Sequence, residues 1–188
     1  MIKKLIIVDN FFSNPHDVRN FAIKQEYEKP NTYYPGNRTL CRYNSNEIKK
    51  KFEGILNESI VNWDAGSSPD NGRFQYATQD DKTWIHVDSD EPDENEGYEN
   101  WAGVIYLTPN APFTSGTALF EPKFKNANGY DISQWNKVDE IGNIFNRLIL
   151  FNSNSYHAST NYFGDNINNG RLFIVYFFCI NKKTNLNI

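Results

Sequence analysis

Cysteine is scarce in this 188-residue chain: Cys41 and Cys179 are the only two, and they stand far apart. That excludes a disulfide scaffold and any multi-cysteine zinc site. Long apolar runs are missing as well. No stretch approaches the ~20 apolar residues that a membrane-spanning helix needs. The run Leu5-Ile-Ile-Val8 is too short for a signal-peptide core and lacks a small-residue cleavage site. Nor is there an excess of positive charge. With 19 basic and 23 acidic residues the formal net charge is −4, which gives nucleic acid no large positive field to bind. The expectation is a soluble cytoplasmic protein with reduced thiols, partnered by neither nucleic acid nor membrane. Histidine is the last scarcity. Three in all look at first like an argument against metal chemistry.

What the chain does have is length for one domain over 1–188, and aromatics in number: 14 Phe, 11 Tyr and 4 Trp. A chain of this size buries roughly 70% of the surface it exposes unfolded, so a real core needs no staple. Residues 1–58 read as an N-terminal strand and helices. Lys4–Val8 is a short strand. Asn14-Pro15 starts a helix that runs to about Gln25 with Val18, Phe21 and Ala22 on one face. Residues 28–43, rich in Pro, Asn, Tyr and Gly, read as loop. Asn44 and Glu47 form a capping box for a helix to about Asn57 that buries Ile48, Phe52, Ile55 and Leu56. Its run Lys49-Lys50-Lys51 reads as a solvated face.

After Ser59 the period changes from 3.6 to 2. Strands are expected at Ile60–Trp63, Arg73–Thr78, Thr83–Val87, Ala102–Leu107, Thr117–Glu121, Arg147–Phe151, Tyr156–Ser159 and Arg171–Ile180, with Gly and Pro between them. Residues 122–146 carry poor periodicity and read as loop. The last strand is apolar on both faces, so it must be covered on both, one of them by the N-terminal helices. The fold class that follows is mostly β with N-terminal helices and a jelly-roll-like core over 59–181.

The chemistry sits in few residues. His86 and Asp88 close the Thr83–Val87 strand, and residues two apart in a strand point the same way, about 6.6 Å apart along the chain. Both can enter one cavity. His157 lies 69 residues after Asp88 on another strand. Two histidines and a carboxylate on one face of an ion leave its other positions open, the facial triad of non-haem Fe(II) oxygenases. His-x-Asp alone is weak, since chance gives a chain of this composition roughly 0.2 such pairs. Arg171 strengthens it. It starts an otherwise apolar strand, on one face with Phe173, Val175 and Phe177, and a guanidinium there wants an anion.

With these residues in order, the chain resembles the Fe(II)- and 2-oxoglutarate-dependent dioxygenases, in their prolyl-hydroxylase-like branch. The likeness spans about 73–180. It rests on Tyr76, His86-Val-Asp88, Ala102-Gly-Val-Ile-Tyr106-Leu107, Gly116-Thr-Ala-Leu-Phe120, Arg147-Leu-Ile-Leu-Phe151, His157 and Arg171. The resemblance implies a double-stranded β-helix, of the jelly-roll, cupin-like kind. It implies Fe(II) held by His86, Asp88 and His157, with 2-oxoglutarate and O₂ as co-substrates. Arg171 would pair with the distal carboxylate of 2-oxoglutarate, and Tyr106 and Tyr76 would donate hydroxyls to it. The implied activity is hydroxylation of a peptidyl or free amino-acid side chain or of a small metabolite. Asp88 separates the chain from the related halogenases, which by this resemblance lack the carboxylate and place chloride there. The chain departs from the pattern in an Asn-rich insertion, 165–169, and in Phe173, where many relatives carry a small hydroxyl residue.

Plainer readings stand beside these. Either histidine alone would read as a core histidine, Arg171 as half of a structural ion pair, and Tyr76 and Tyr106 as core aromatics. Trp84 and Trp101 read as packing residues, with Trp101 also a candidate for the pocket mouth. His16, in a helix's first turn, has no function to suggest. The acidic segment 88–99 is either a lid or a solvated loop. An inactive jelly-roll binding module and a different cupin-like metalloenzyme are the alternatives to the oxygenase.

Overall fold

The computed structural model describes residues 5–29, 34–63, 69–88 and 97–181. Its elements are, in chain order, β1 (Leu5–Val8), α1 (Pro15–Ile23), β2 (Tyr27–Glu28), β3 (Asn37–Arg42), α2 (Asn46–Leu56), β4 (Ile60–Asn62), β5 (Arg73–Ala77), β6 (Tyr98–Tyr106), β7 (Thr117–Pro122), β8 (Trp135–Ile141), β9 (Leu148–Asn152), β10 (His157–Ser159) and β11 (Arg171–Asn181). The strands form an antiparallel major sheet, β1-β9-β6-β11-β5-β3-β2 with β4 on the far end of β11, and a minor sheet, β10-β7-β8. Residues from the first 58 therefore supply both edges of the major sheet. Among the described residues no helix is long and apolar enough to cross a membrane.

The two apolar faces of β11 explain the layering. Leu172, Ile174, Tyr176 and Phe178 share one core with Val18 and Ala22 of α1 and Ile48 and Phe52 of α2. Phe173 and Val175 share another with Tyr106, Leu119, Ile149 and Phe151, between the two sheets. Period-2 alternation thus sends one set of β11 side chains under the helices and the other toward the minor sheet. The segment expected to bury Val18, Phe21 and Ala22 buries Val18, Arg19 and Ala22, while Phe21 is exposed. The Arg19 guanidinium donates to the carbonyls of Leu107 and Asn168 at 2.9 and 2.7 Å, tying α1 to the loop that precedes β11.

Helix α2 is set by Ile48, Phe52, Ile55 and Leu56 at i, i+4, i+7 and i+8. Its cap is Ser45, not Asn44: the Ser45 hydroxyl accepts from the Ile48 N–H at 3.4 Å, while the Asn44 amide reaches the Trp63 carbonyl. Asn57 ends the helix at φ +52°, a conformation asparagine tolerates. Phe52 is fully buried, with Phe11, Trp63, Tyr176 and Phe178 around its ring at centroid distances of 4.9 to 5.8 Å. Phe52→Ala is expected to cost about 3–5 kcal/mol, read as a lower urea midpoint with unchanged slope. A loss below ~1 kcal/mol would show that α2 does not anchor this core.

Three expectations are corrected. Residues 28–43 hold β3, and 122–146 hold β8. Thr83–Val87 is not a ladder strand: it runs extended but pairs only at His86, which bridges His157.

Candidate metal centre

The site lies in a cleft between the sheets, of about 600 Å³ counting its open mouth. His157 comes from β10, whose pairing His157↔Leu119 fixes it on the minor sheet. His86 and His157 exchange backbone hydrogen bonds at 3.0 and 2.8 Å, and the Asp88 N–H donates to the Ser153 carbonyl at 3.0 Å. One bridge pair is therefore enough to place His86 and Asp88, which alternate onto the same side. Candidate ligand atoms of His86, Asp88 and His157 all lie within 4.8 Å of one another.

Ring orientation is fixed from behind. The His86 Nδ1 lies 3.0 Å from the Trp84 carbonyl and the His157 Nδ1 lies 3.0 Å from the Ser155 carbonyl. A carbonyl only accepts, so each Nδ1 carries the proton and each Nε2 keeps its lone pair. Both Nε2 atoms face Asp88, at 3.7 Å from Oδ1 for His86 and 3.4 Å from Oδ2 for His157. These are too long for good hydrogen bonds. Three donor atoms thus converge on a common space. Burial, and then the neighbouring His157, hold His86 below the usual imidazole range despite the opposing pull of Asp88, and this lowering favours the neutral, ligating form. The donor set fits a divalent first-row ion: two imidazoles and one carboxylate, with the remaining positions open to the cleft.

At the inner end of the cleft stands Arg171, 1% exposed. Its Nε donates to the Ser115 carbonyl at 2.9 Å, and its Nη2 to the Gly116 carbonyl at 3.1 Å and the Thr117 hydroxyl at 3.5 Å. All three acceptors are neutral, and among the described residues no carboxylate pairs with it. A buried guanidinium without a counter-anion is costly unless a ligand supplies one. Phe173 and Tyr106 flank it, with ring centroids 4.4 and 5.3 Å from Cζ. Glycine at 116 is required by the neighbouring strand, since a β-carbon there would sit 1.8 Å from the Ile141 carbonyl oxygen.

Tyr106 is fully buried, and its hydroxyl lies 2.8 Å from that of Thr117, which also faces Arg171. Burial pushes its phenol up, so it stays protonated and able to donate. Tyr76 is elsewhere. It pairs in register with Leu172, packs under the helices and sits edge-on to Tyr27 at 5.1 Å. Its neighbour Gln75 faces the cleft instead. A one-residue parity decides this, and the sequence expectation for Tyr76 is corrected accordingly. For the 2-oxoglutarate that the resemblance implies, Tyr106→Phe should raise the KM about 2- to 12-fold, the equivalent of ~0.5–1.5 kcal/mol. Tyr76→Phe should leave it unchanged, and the reverse ranking in steady-state kinetics would reinstate Tyr76.

Other residues found here were missed from the sequence. Arg38 and Tyr34 reach the cleft from the region read as loop, and Tyr162 lines it from the segment after β10. Trp84, not Trp101, stands at the mouth: Trp101 is 2% exposed in the helix-side core, while Trp84 stacks on Tyr130 at 5.7 Å. Residues 89–96, most of the acidic segment, lie outside the described residues.

The model of DUF6445, a family of unknown function, matches residues 2–140. The chain belongs to the DUF6445 family. The matched span includes His86, Asp88 and Tyr106 and ends before His157 and Arg171. No curated protein matches this DUF6445 chain. Solved structures do. HygX from Streptomyces hygroscopicus, with nickel, 2-oxoglutarate and hygromycin B bound, is 10% identical with a TM-score of 0.55, over 95% of this chain and 83% of that one. An oxidoreductase of the 2OG-Fe(II) oxygenase family from Burkholderia pseudomallei is 12% identical with a TM-score of 0.54, over 94% and 84%. A prolyl-4-hydroxylase from Pseudomonas putida is 12% identical with a TM-score of 0.52, over 97% and 94%. At these identities the likeness establishes the fold. This DUF6445 member has the double-stranded β-helix of the 2-oxoglutarate oxygenases, and within it a His-x-Asp…His cluster.

Proposed function

We propose that this chain is an Fe(II)- and 2-oxoglutarate-dependent oxygenase that hydroxylates an unactivated C–H bond of a small molecule or a peptide. One observation carries the reading: His86, Asp88 and His157 converge in the same cleft that holds a buried Arg171 with only neutral partners. Bound Fe(II) supplies O₂ activation coupled to oxidative decarboxylation of 2-oxoglutarate to succinate and CO₂. The chain's own residues do the rest. The Trp84 and Ser155 carbonyls hold the two imidazoles with Nε2 toward the metal position. Arg171 answers the distal carboxylate of the co-substrate, with the Tyr106 and Thr117 hydroxyls beside it. Phe173, Val175 and Phe177 line the cleft with apolar surface, limiting water at the reacting centre.

The test is Fe(II)-dependent release of succinate from 2-oxoglutarate by the purified chain, with a chelator control. Release that needs Fe(II) and O₂ supports the reading. Absence of both release and iron binding removes it.

A further inference from the structure

The row of side chains that crosses the cleft floor ends in a second guanidinium. Registers Phe173↔Tyr106, Phe173↔Gln75 and Gln75↔Arg38 place these four residues side by side on one face of the major sheet. Arg38 stands two strands from β11, about 10 Å sideways from Phe173, so it opens on a different part of the cleft from Arg171. It is 8% exposed. Its Nε donates to Gln75 Oε1 at 2.8 Å, and the Gln75 amide donates onward to the Pro35 carbonyl at 2.5 Å, which fixes the Gln75 rotamer. The Tyr34 ring covers the guanidinium face, 3.5 Å from Cζ. Nη1 meets Asp70 Oδ2 at 3.2 Å, but Asp70 is shared: its Oδ1 lies 3.4 Å from Arg73 Nε, and Arg73's other carboxylate, Glu28, is more than half exposed at 3.9 Å. The contacts Arg38 makes among the described residues use Nε and Nη1.

We infer that Arg38, oriented by Gln75 and Tyr34, binds a carboxylate of the substrate to be oxidised, and that this substrate is therefore a small organic acid such as a free amino acid. The inference rests on the oxygenase reading and narrows it. An internal residue of a peptide has no main-chain carboxylate to offer. A guanidinium with one face under an aromatic ring and its Nε edge held by an amide oxygen presents its remaining edge in one orientation, the condition for fork-like recognition of a planar anion. A purely structural Arg38 needs only its Asp70 pair and no access to the cleft, yet Arg38 lines the cleft that holds His86 and Asp88.

The full chain is loaded with Mn(II), and 2-oxoglutarate binding is measured first by calorimetry. The probes are then the twenty common amino acids and the C3–C6 mono- and dicarboxylic acids, each beside its carboxamide, titrated into the loaded protein. At least one acid is expected to bind, its amide roughly 10- to 100-fold more weakly. Arg38→Gln should erase that preference while leaving 2-oxoglutarate affinity within about two-fold. Arg38→Lys, which keeps the charge, should restore part of it, and Asp70→Asn should tighten acid binding. No acid bound, equal binding of acid and amide, or a preference that survives Arg38→Gln would overturn the inference. Failure of 2-oxoglutarate itself to bind would instead strike the oxygenase reading.

Discussion

Asp88→Ala is expected to reduce Fe(II)-dependent succinate release by about 1,000-fold or more, the equivalent of at least ~4 kcal/mol of barrier. The size of the effect follows from the geometry. Asp88 is the anionic member of the cluster, and its two oxygens face the Nε2 atoms of His86 and His157. Removing it leaves two neutral donors, too few to hold a divalent ion facially against water. The fold should survive, because among the described residues the side chain makes no hydrogen bond and only its backbone N–H is tied, to Ser153. Unchanged thermal stability with lost turnover and weakened metal binding is the expected pattern. Turnover that persisted in Asp88→Ala would show that the triad is misassigned.

Arg171→Ala is expected to raise the KM for 2-oxoglutarate about 10- to 150-fold, from the ~1.5–3 kcal/mol of a hydrogen bond to a charged group. Here the fold does not escape. The side chain is among the largest fully buried ones and satisfies the Ser115 and Gly116 carbonyls. Its loss leaves each carbonyl with a single weaker donor, Asn143 Nδ2 at 3.3 Å and the Thr160 N–H at 3.2 Å, and opens a void against Phe173, so a drop in thermal midpoint is expected as well. Arg171→Lys separates the two effects. It keeps a charge in the anion pocket while losing the fork, and should recover part of the KM. Kinetics in which neither variant altered the KM, measured below the unfolding range of each, would leave Arg171 as a structural residue.

Much of this site is legible in the sequence because strand alternation and chain order both report it. His86 and Asp88 sit two apart in extended backbone, His157 follows in the right order, and β11 declares its two apolar faces. The misses have equally local causes. The family resemblance implies Tyr76 in the cleft, ten residues before His86. In β5 the aromatics Phe74 and Tyr76 face the helices, while Arg73 and Gln75 take the other side. β8 was invisible because it is a sheet-edge strand: Asn136 to Glu140 are all exposed, so no alternation survives between Trp135 and Ile141. β3 was hidden because its cleft-facing member is Arg38, a charge that period-2 reading counts as surface. The Thr83–Val87 segment shows the converse. Its pattern is that of a strand, yet a single bridge to His157 positions His86.

The central claim is that one cleft holds both a metal chelate position and a separate anion anchor. Calorimetric titration of 2-oxoglutarate into the chain, with and without Mn(II), tests this most directly. The account predicts about one binding site per chain, present only with the metal and severely weakened in Arg171→Ala. Binding that is indifferent to both the metal and Arg171, or none with the metal site filled, would contradict it.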